Sequence, residues 1–156
     1  MVVFFECVTI SSKPVDEMFD LARSVDAHTD SQSASAEQAV AGVTGGLIGF
    51  NQEVTWRARH FGVPFELTNK ITEFEAPHRF VDEQIHGPFK TFHHEHRFEA
   101  SAEGSVMIDR VRFSAPFGLI GRLVEKLVLA TYMQRLIEDR GVFLAESSGG
   151  STEQAV

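Results

Sequence analysis

The residues of this chain whose types and spacing suit proton transfer, metal binding or ligand orientation are His94 and His96, one residue apart, with His60, Asn69, Asp82, Gln84 and Asp109. Side chains alternate across a strand. In the stretch from Phe80 to Phe98 one face therefore carries Phe80, Asp82 and Gln84 and, after a Gly87-Pro88 turn, Phe92, His94, His96 and Phe98. A solid core does not choose such a mixture, because a buried carboxylate, amide or imidazole without a partner costs several kcal/mol or must change its protonation. The alternation predicts strands around a pocket.

Three chemistries are open to these groups. His94-x-His96 puts two imidazoles on one strand face, and His60, Asp82 or Asp109 could supply a third metal ligand. Any alternating strand with two histidines makes that spacing, however, and no metal or other cofactor is expected. A histidine held by Asp82 or Asp109 in an apolar pocket could act as a general acid or base. The third possibility is that these groups satisfy one another in a buried network that stiffens the sheet. His28, His78, His86 and His93 fall in a loop, a turn or on the opposite phase and are expected to be solvated. Ser12, Ser24 and Ser35 lack a nucleophile-elbow context, and Gly42, Gly45, Gly46 and Gly49 lack the surroundings of a phosphate loop.

The elements that would position the groups follow from periodicity. Val2 to Ile10 reads as a strand, and Ser11, Ser12 and Pro14 open a short helix with Asp16 and Glu17 in its first turn. From Val25 to Asn51 the pattern weakens to one short strand near Glu37 to Val43 and a glycine-hinged loop. Val54 to Phe61, Phe65 to Glu75, Arg79 to His86, Lys90 to Ala100 and Val106 to Ala115 are then closely spaced strands with short connections, an antiparallel meander. Gly118 to Leu144 reads as one long helix, with Leu119, Ile120, Leu123, Leu127, Ala130, Met133 and Ile137 at spacings of three and four, largely buried against the sheet. Without crossover helices between the strands, the class is α+β: a curved antiparallel sheet around a long C-terminal helix.

At 156 residues the chain is one domain, expected over residues 1–144, with a polar, glycine-bearing tail over 145–156. A formal net charge of -8 without basic clusters argues against nucleic acid and anionic membranes as partners. The single cysteine, Cys7, forms no internal disulfide. No stretch reaches the roughly 18 apolar residues of a membrane span, and a cytoplasmic protein without integral membrane contact is expected. A homodimer is compatible with all of this.

The order of elements, with Trp56-Arg-Ala-Arg-His60, Phe80-Val-Asp-Glu-Gln-Ile-His-Gly-Pro-Phe89, His94-Glu-His96, Asp109-Arg-Val111 and Pro116-Phe-Gly-Leu-Ile-Gly-Arg122, resembles the bacterial ligand-binding, polyketide cyclase/dehydrase-like branch of the START and Bet v 1-like (SRPBCC) superfamily. The resemblance implies a helix-grip fold with an internal cavity and leaves its occupant open. The expected occupant is an apolar or amphipathic small molecule, lipid- or polyketide-like. Its expected lining is Trp56, Ala58, His60, Leu67, Asn69, Phe80, Asp82, Gln84, Phe92, His94, His96, Asp109, Val111 and Phe113, closed by Leu123 and Leu127 of the helix. The residues favour binding without catalysis; the alternative is a cyclase/dehydratase-like enzyme using a His-carboxylate pair in the same cavity.

Overall fold

The computed structural model describes residues 2–115 and 128–147. Seven antiparallel strands form one sheet: β1 (Val3–Ser11), β2 (Gln38–Gly42), β3 (Glu53–His60), β4 (Val63–Glu75), β5 (Arg79–His86), β6 (Thr91–Ser101) and β7 (Gly104–Ser114), in the order β1-β7-β6-β5-β4-β3-β2. Two short helices, α1 (Val15–Ala22) and α2 (Val25–Ser31), lie between β1 and β2, and α3 (Ala130–Glu146) follows the sheet. Bulges at Ala39/Ala41, Thr68/Asn69 and Ile71/Glu73 bend strands β2, β4 and β5. The expected α+β class and meander are observed, with strand ends within a few residues of those read from the pattern.

Three expectations change. Helix α2 lies where the sequence reads as loop: it is only seven residues long, buries a single apolar side chain, Val25, and is started by the Ser24 hydroxyl accepting from the Ala27 N–H at 3.1 Å. The C-terminal helix runs two residues past Leu144, to Glu146, while the stretch from 116 to 127, with Leu119, Ile120, Leu123 and Leu127, and the tail from 148 on lie outside the described residues. Within α3 only Ile137, Arg140, Gly141 and Leu144 are buried, and Val142 and Phe143 face solvent, so the described helix is a one-faced element and not a largely buried one.

The inner face of the sheet holds two apolar clusters with a polar seam between them. At one end Trp56, Ile71, Phe80, Phe98 and Met107 pack with Met18, Phe19, Ala22 and Val25 of α1 and α2 and with Leu144 of α3. Phe19 meets Phe74, Phe80 and Phe98 edge-on at 5.4, 5.5 and 5.4 Å between ring centroids. At the other end Phe5, Cys7, Phe92, Val111 and Phe113 pack with Ile137. Trp56 is stacked on His28 of α2, and Phe80 meets Phe19 of α1 edge-on. Along β6 and β7 the seam falls between the clusters, at His94, His96 and Asp109.

On the outer face Val81 is fully buried, although its phase is the solvent one. Its cross-strand neighbours are Glu73 and Glu95, and Arg79, two residues away on the same face, contacts both carboxylates. The arginine stem and the ion pairs roof the valine.

Helix α3 lies on edge strand β1 at a point where Gly141 meets Thr9. A Cβ at position 141 would stand 2.1 Å from Thr9 Oγ1 and 3.3 Å from Thr9 Cβ. Gly141→Ala is therefore expected to lose about 1 to 3 kcal/mol by overpacking, despite alanine's better helix propensity. Adding Thr9→Ala should restore most of it in urea unfolding, and an unrescued loss would show that the contact is not what fixes the helix.

Candidate functional site

Between the inner face of the sheet and α1, α2 and α3 lies a cavity of about 400 Å³. Its walls are mostly apolar, from Ala22, Val25, Ile48, Val54, Trp56, Ala58, Phe65, Leu67, Ile71, Phe80, Phe89, Phe92, Leu129, Met133, Leu136 and Ile137. The half-exposed Leu129, just before α3, and Met133 and Leu136 of α3 border this space, Leu129 and Met133 also packing against the second apolar cluster. The polar groups of the wall are His28, His60, Asn69, Asp82, His94, His96, Tyr132 and Arg140, with Arg23, Ser24, Gln32 and Glu37 around α2.

Of the residues read from the sequence, Trp56, Ala58, His60, Leu67, Asn69, Phe80, Asp82, Phe92, His94 and His96 line the cavity. Gln84 does not reach it. Its amide donates to Phe89 O at 2.8 Å and accepts from Phe89 N at 3.2 Å, which fastens the Gly87-Pro88 turn. Val111 and Phe113 are fully buried in the second apolar cluster. Asp109 lies beneath the lining as the anchor of both histidines. Leu123 and Leu127 lie outside the described residues.

Strand register builds the polar seam. Asp82 pairs with His94 across β5 and β6, and His96 pairs with Asp109 across β6 and β7. The shortest contacts add the diagonals that neighbouring strands permit. His94 Nε2 lies 2.8 Å from Asp109 Oδ1, and His96 Nε2 lies 2.8 Å from Asp82 Oδ2. His96 Nδ1 contacts Asp109 Oδ1 at 2.9 Å, and Asn69 Nδ2 donates to Asp82 Oδ1 at 2.8 Å. From α3, Arg140 donates to the Ala22 carbonyl through Nη2 at 2.6 Å and stands 3.9 Å from Asp109 through Nη1.

These contacts fix the charges. Burial alone would raise the Asp109 carboxyl, but hydrogen bonds to His94 and His96 hold it far below the usual carboxylate range, and Asp82 is held down against burial by His96, His94 and Arg140. The two imidazole rings are 3.8 Å apart, too close for both to carry charge. His96 has a carboxylate at each nitrogen, and these outweigh its burial and raise its pKa, so it is the imidazolium. Burial, with His96 beside it, lowers His94, which is neutral. Two carboxylates, one imidazolium and the Arg140 guanidinium leave the seam without net charge.

Among the described residues, one triplet has metal-ligand atoms within reach of each other: those of Asp82, His94 and His96 lie within 4.8 Å of one another. The arrangement suits proton sharing better than a metal. The His96–Asp82 contact is already a hydrogen bond, and His94 is hydrogen-bonded to Asp109.

At another part of the wall, His60 Nδ1 and Tyr132 Oη are 2.7 Å apart, joining β3 to α3. Burial lowers the His60 pKa and raises that of Tyr132, so the phenol donates to a neutral imidazole. Phe61 lines the cavity and is 65% exposed, which places it at the boundary with solvent; its ring lies tilted against Tyr132 at 4.7 Å, and it takes φ 52° in the two-residue Phe61-Gly62 turn. A bulky residue in that conformation is strained. His28, expected to be solvated, instead lies in the wall, stacked on Trp56 at 4.1 Å and held to Glu37 at 2.7 Å.

Sequence reading passed over Arg140, Tyr132 and His28. For Arg140 a signal existed: Met133, Ile137, Arg140 and Leu144 recur at helical spacing, and an arginine on an apolar stripe marks a buried charge. Tyr132 and His28 carry no comparable mark, because the lining role of each depends on α2 or on how α3 meets β3.

No family model matches the chain, and no curated protein matches it in sequence. Its likeness is to solved structures. TTHA0849 from Thermus thermophilus is 18% identical with a TM-score of 0.73, over 94% of this chain and 95% of that one. Ara h 8.0201 is 17% identical with a TM-score of 0.62, over 92% and 99%. Ginseng major latex-like protein 151 from Panax ginseng is 13% identical with a TM-score of 0.65, over 91% and 95%. At such identities the shared property is the fold.

Proposed function

We infer that this chain, which has the helix-grip fold of the Bet v 1-like superfamily, binds an apolar or amphipathic small molecule between its sheet and its helices. The observation that carries the reading is the cavity of about 400 Å³ with mostly apolar walls and a few clustered polar groups, the composition of a small-molecule site. Burial of ligand surface, at roughly 25 cal/mol per Å², supplies the affinity. The seam orients the ligand.

Native mass spectrometry of protein purified without delipidation tests this. Expected is a mass increment that disappears on organic extraction and is regained on adding an apolar probe. Protein that carries no increment and takes up no probe would count decisively against a binding role.

One observation favours a second, enzymatic reading of the same cavity. His94 donates through Nε2 to Asp109, so its Nδ1 carries a bare lone pair on an imidazole held neutral, the arrangement of a general base oriented by a carboxylate. A cyclase or dehydratase would use it to take a proton from carbon or oxygen of a substrate seated on the apolar walls.

A further inference from the structure

The tautomer of His94 says what kind of polar group the ligand must carry. Asp109 is an ionised carboxylate and only accepts, so the His94 nitrogen 2.8 Å from it, Nε2, bears the proton. The other nitrogen, Nδ1, is left as an acceptor. It has no hydrogen-bonded partner among the described residues; Asp82 Oδ2, itself an acceptor, lies 3.8 Å away. His94 is 5% exposed, and both side chains line the cavity.

A buried site thus offers one acceptor without a donor among the described residues, His94 Nδ1, beside Asp82 Oδ2, which accepts from His96 and keeps a second lone pair. The donors nearby are engaged or sealed off. His96 is shared between Asp82 and Asp109, Asn69 Nδ2 is given to Asp82, and Arg140 Nη2 is given to Ala22 O. Arg140 Nε and Nη1 have no hydrogen-bond partner, Nη1 standing 3.9 Å from Asp109, and neither atom has surface toward the cavity. A carboxylate here would face Asp82 with no free cation among the described residues to receive it.

Resting on the binding reading above, we propose that the cavity selects hydroxylated apolar molecules, phenols or alcohols whose O–H donates to His94 Nδ1 with Asp82 Oδ2 as the second acceptor, and rejects carboxylates of the same skeleton.

The test is equilibrium dialysis of the full chain at pH 7.5 with three probes on one bicyclic frame: 2-naphthol, 2-methoxynaphthalene and 2-naphthoate. Expected is naphthol binding about 3- to 10-fold tighter than the ether, the value of one neutral hydrogen bond, with naphthoate at least tenfold weaker than naphthol. In His94→Phe, which keeps a ring but has no lone pair, the preference for naphthol over the ether should disappear. Parity in the unmodified protein, or naphthoate binding tightest, overturns the selection for a donor and leaves the cavity reading standing. Binding of none of the three overturns both. If the His94→Phe protein does not fold, the order of the three probes on the unmodified protein decides.

Discussion

Asp109→Asn is expected to lose about 3 to 5 kcal/mol of folding stability, the cost of breaking a buried ion pair from one side. Asp109 is fully buried, and its Oδ1 meets both His94 and His96. Asparagine fills the same space but brings no charge, so the His96 imidazolium keeps only Asp82, and Arg140 loses its nearest anion on β7. Urea unfolding should show a lower midpoint at unchanged slope. A loss under 1 kcal/mol would mean that the seam is not held together by this carboxylate.

The same seam sets a pH dependence whose sign follows group by group. Asp82 and Asp109 are held below the ordinary carboxylate value, so their contribution is complete above about pH 4 and is lost as pH falls through their folded values. His94 is held down too; in the unfolded chain it takes a proton near pH 6.5, so acidification below that point favours unfolding. His96 is raised, and its contribution is full below about pH 6.5 and lost as pH rises through its folded value. Stability should therefore fall on both sides of neutrality, and Asp109→Asn should flatten both limbs. Histidine ¹⁵N spectra at pH 7 should show one imidazolium, His96, and one neutral Nε2–H ring, His94; two neutral rings would refute this assignment.

How much of this was legible in the sequence follows from where each signal resides. The seam was legible because strand alternation is rigid: residues two apart share a face, and hairpins of two to four residues leave little freedom in which strands become neighbours. Hence Asp82, His94, His96 and Asp109 could be grouped from spacing alone. Periodicity gives phase but not depth. Val111 and Phe113 share the inward phase with Asp109, yet they pack against Ile137 below the cavity, and Gln84 turns to its own hairpin. Val81 has the outward phase and is buried nonetheless, because Arg79, Glu73 and Glu95 close over it. Helix α2 escaped because seven residues with one buried apolar side chain hold almost no 3.6-residue pattern. Through it enter Gln32 and His28, which stacks on Trp56.

Ala58→Phe is expected to abolish uptake of an apolar fluorescent probe while the fold survives. Ala58 lies on β3 between Trp56 and His60 in the inward phase, is 8% exposed, and lines the cavity opposite α3. A phenyl ring added there projects into space that is empty, so it should cost little stability, in contrast to a bulky residue at Val111, which has no exposed surface and would overpack the second cluster. If the ring denies the probe on the order of 100 Å² of apolar contact, about 2.5 kcal/mol is lost, more than 50-fold in affinity. His94→Gln should weaken a hydroxyl-bearing probe only about 2- to 10-fold, because one neutral hydrogen bond is at stake. Catalysis would reverse that ranking: losing the base at His94 would cost about 100- to 10,000-fold in turnover, whatever happened to binding. Probe titration with circular dichroism on both variants separates the cases. Normal uptake by Ala58→Phe together with complete loss in His94→Gln would place the binding energy in the polar seam and not in the apolar walls, and the cavity would then have to be read as a site of chemistry.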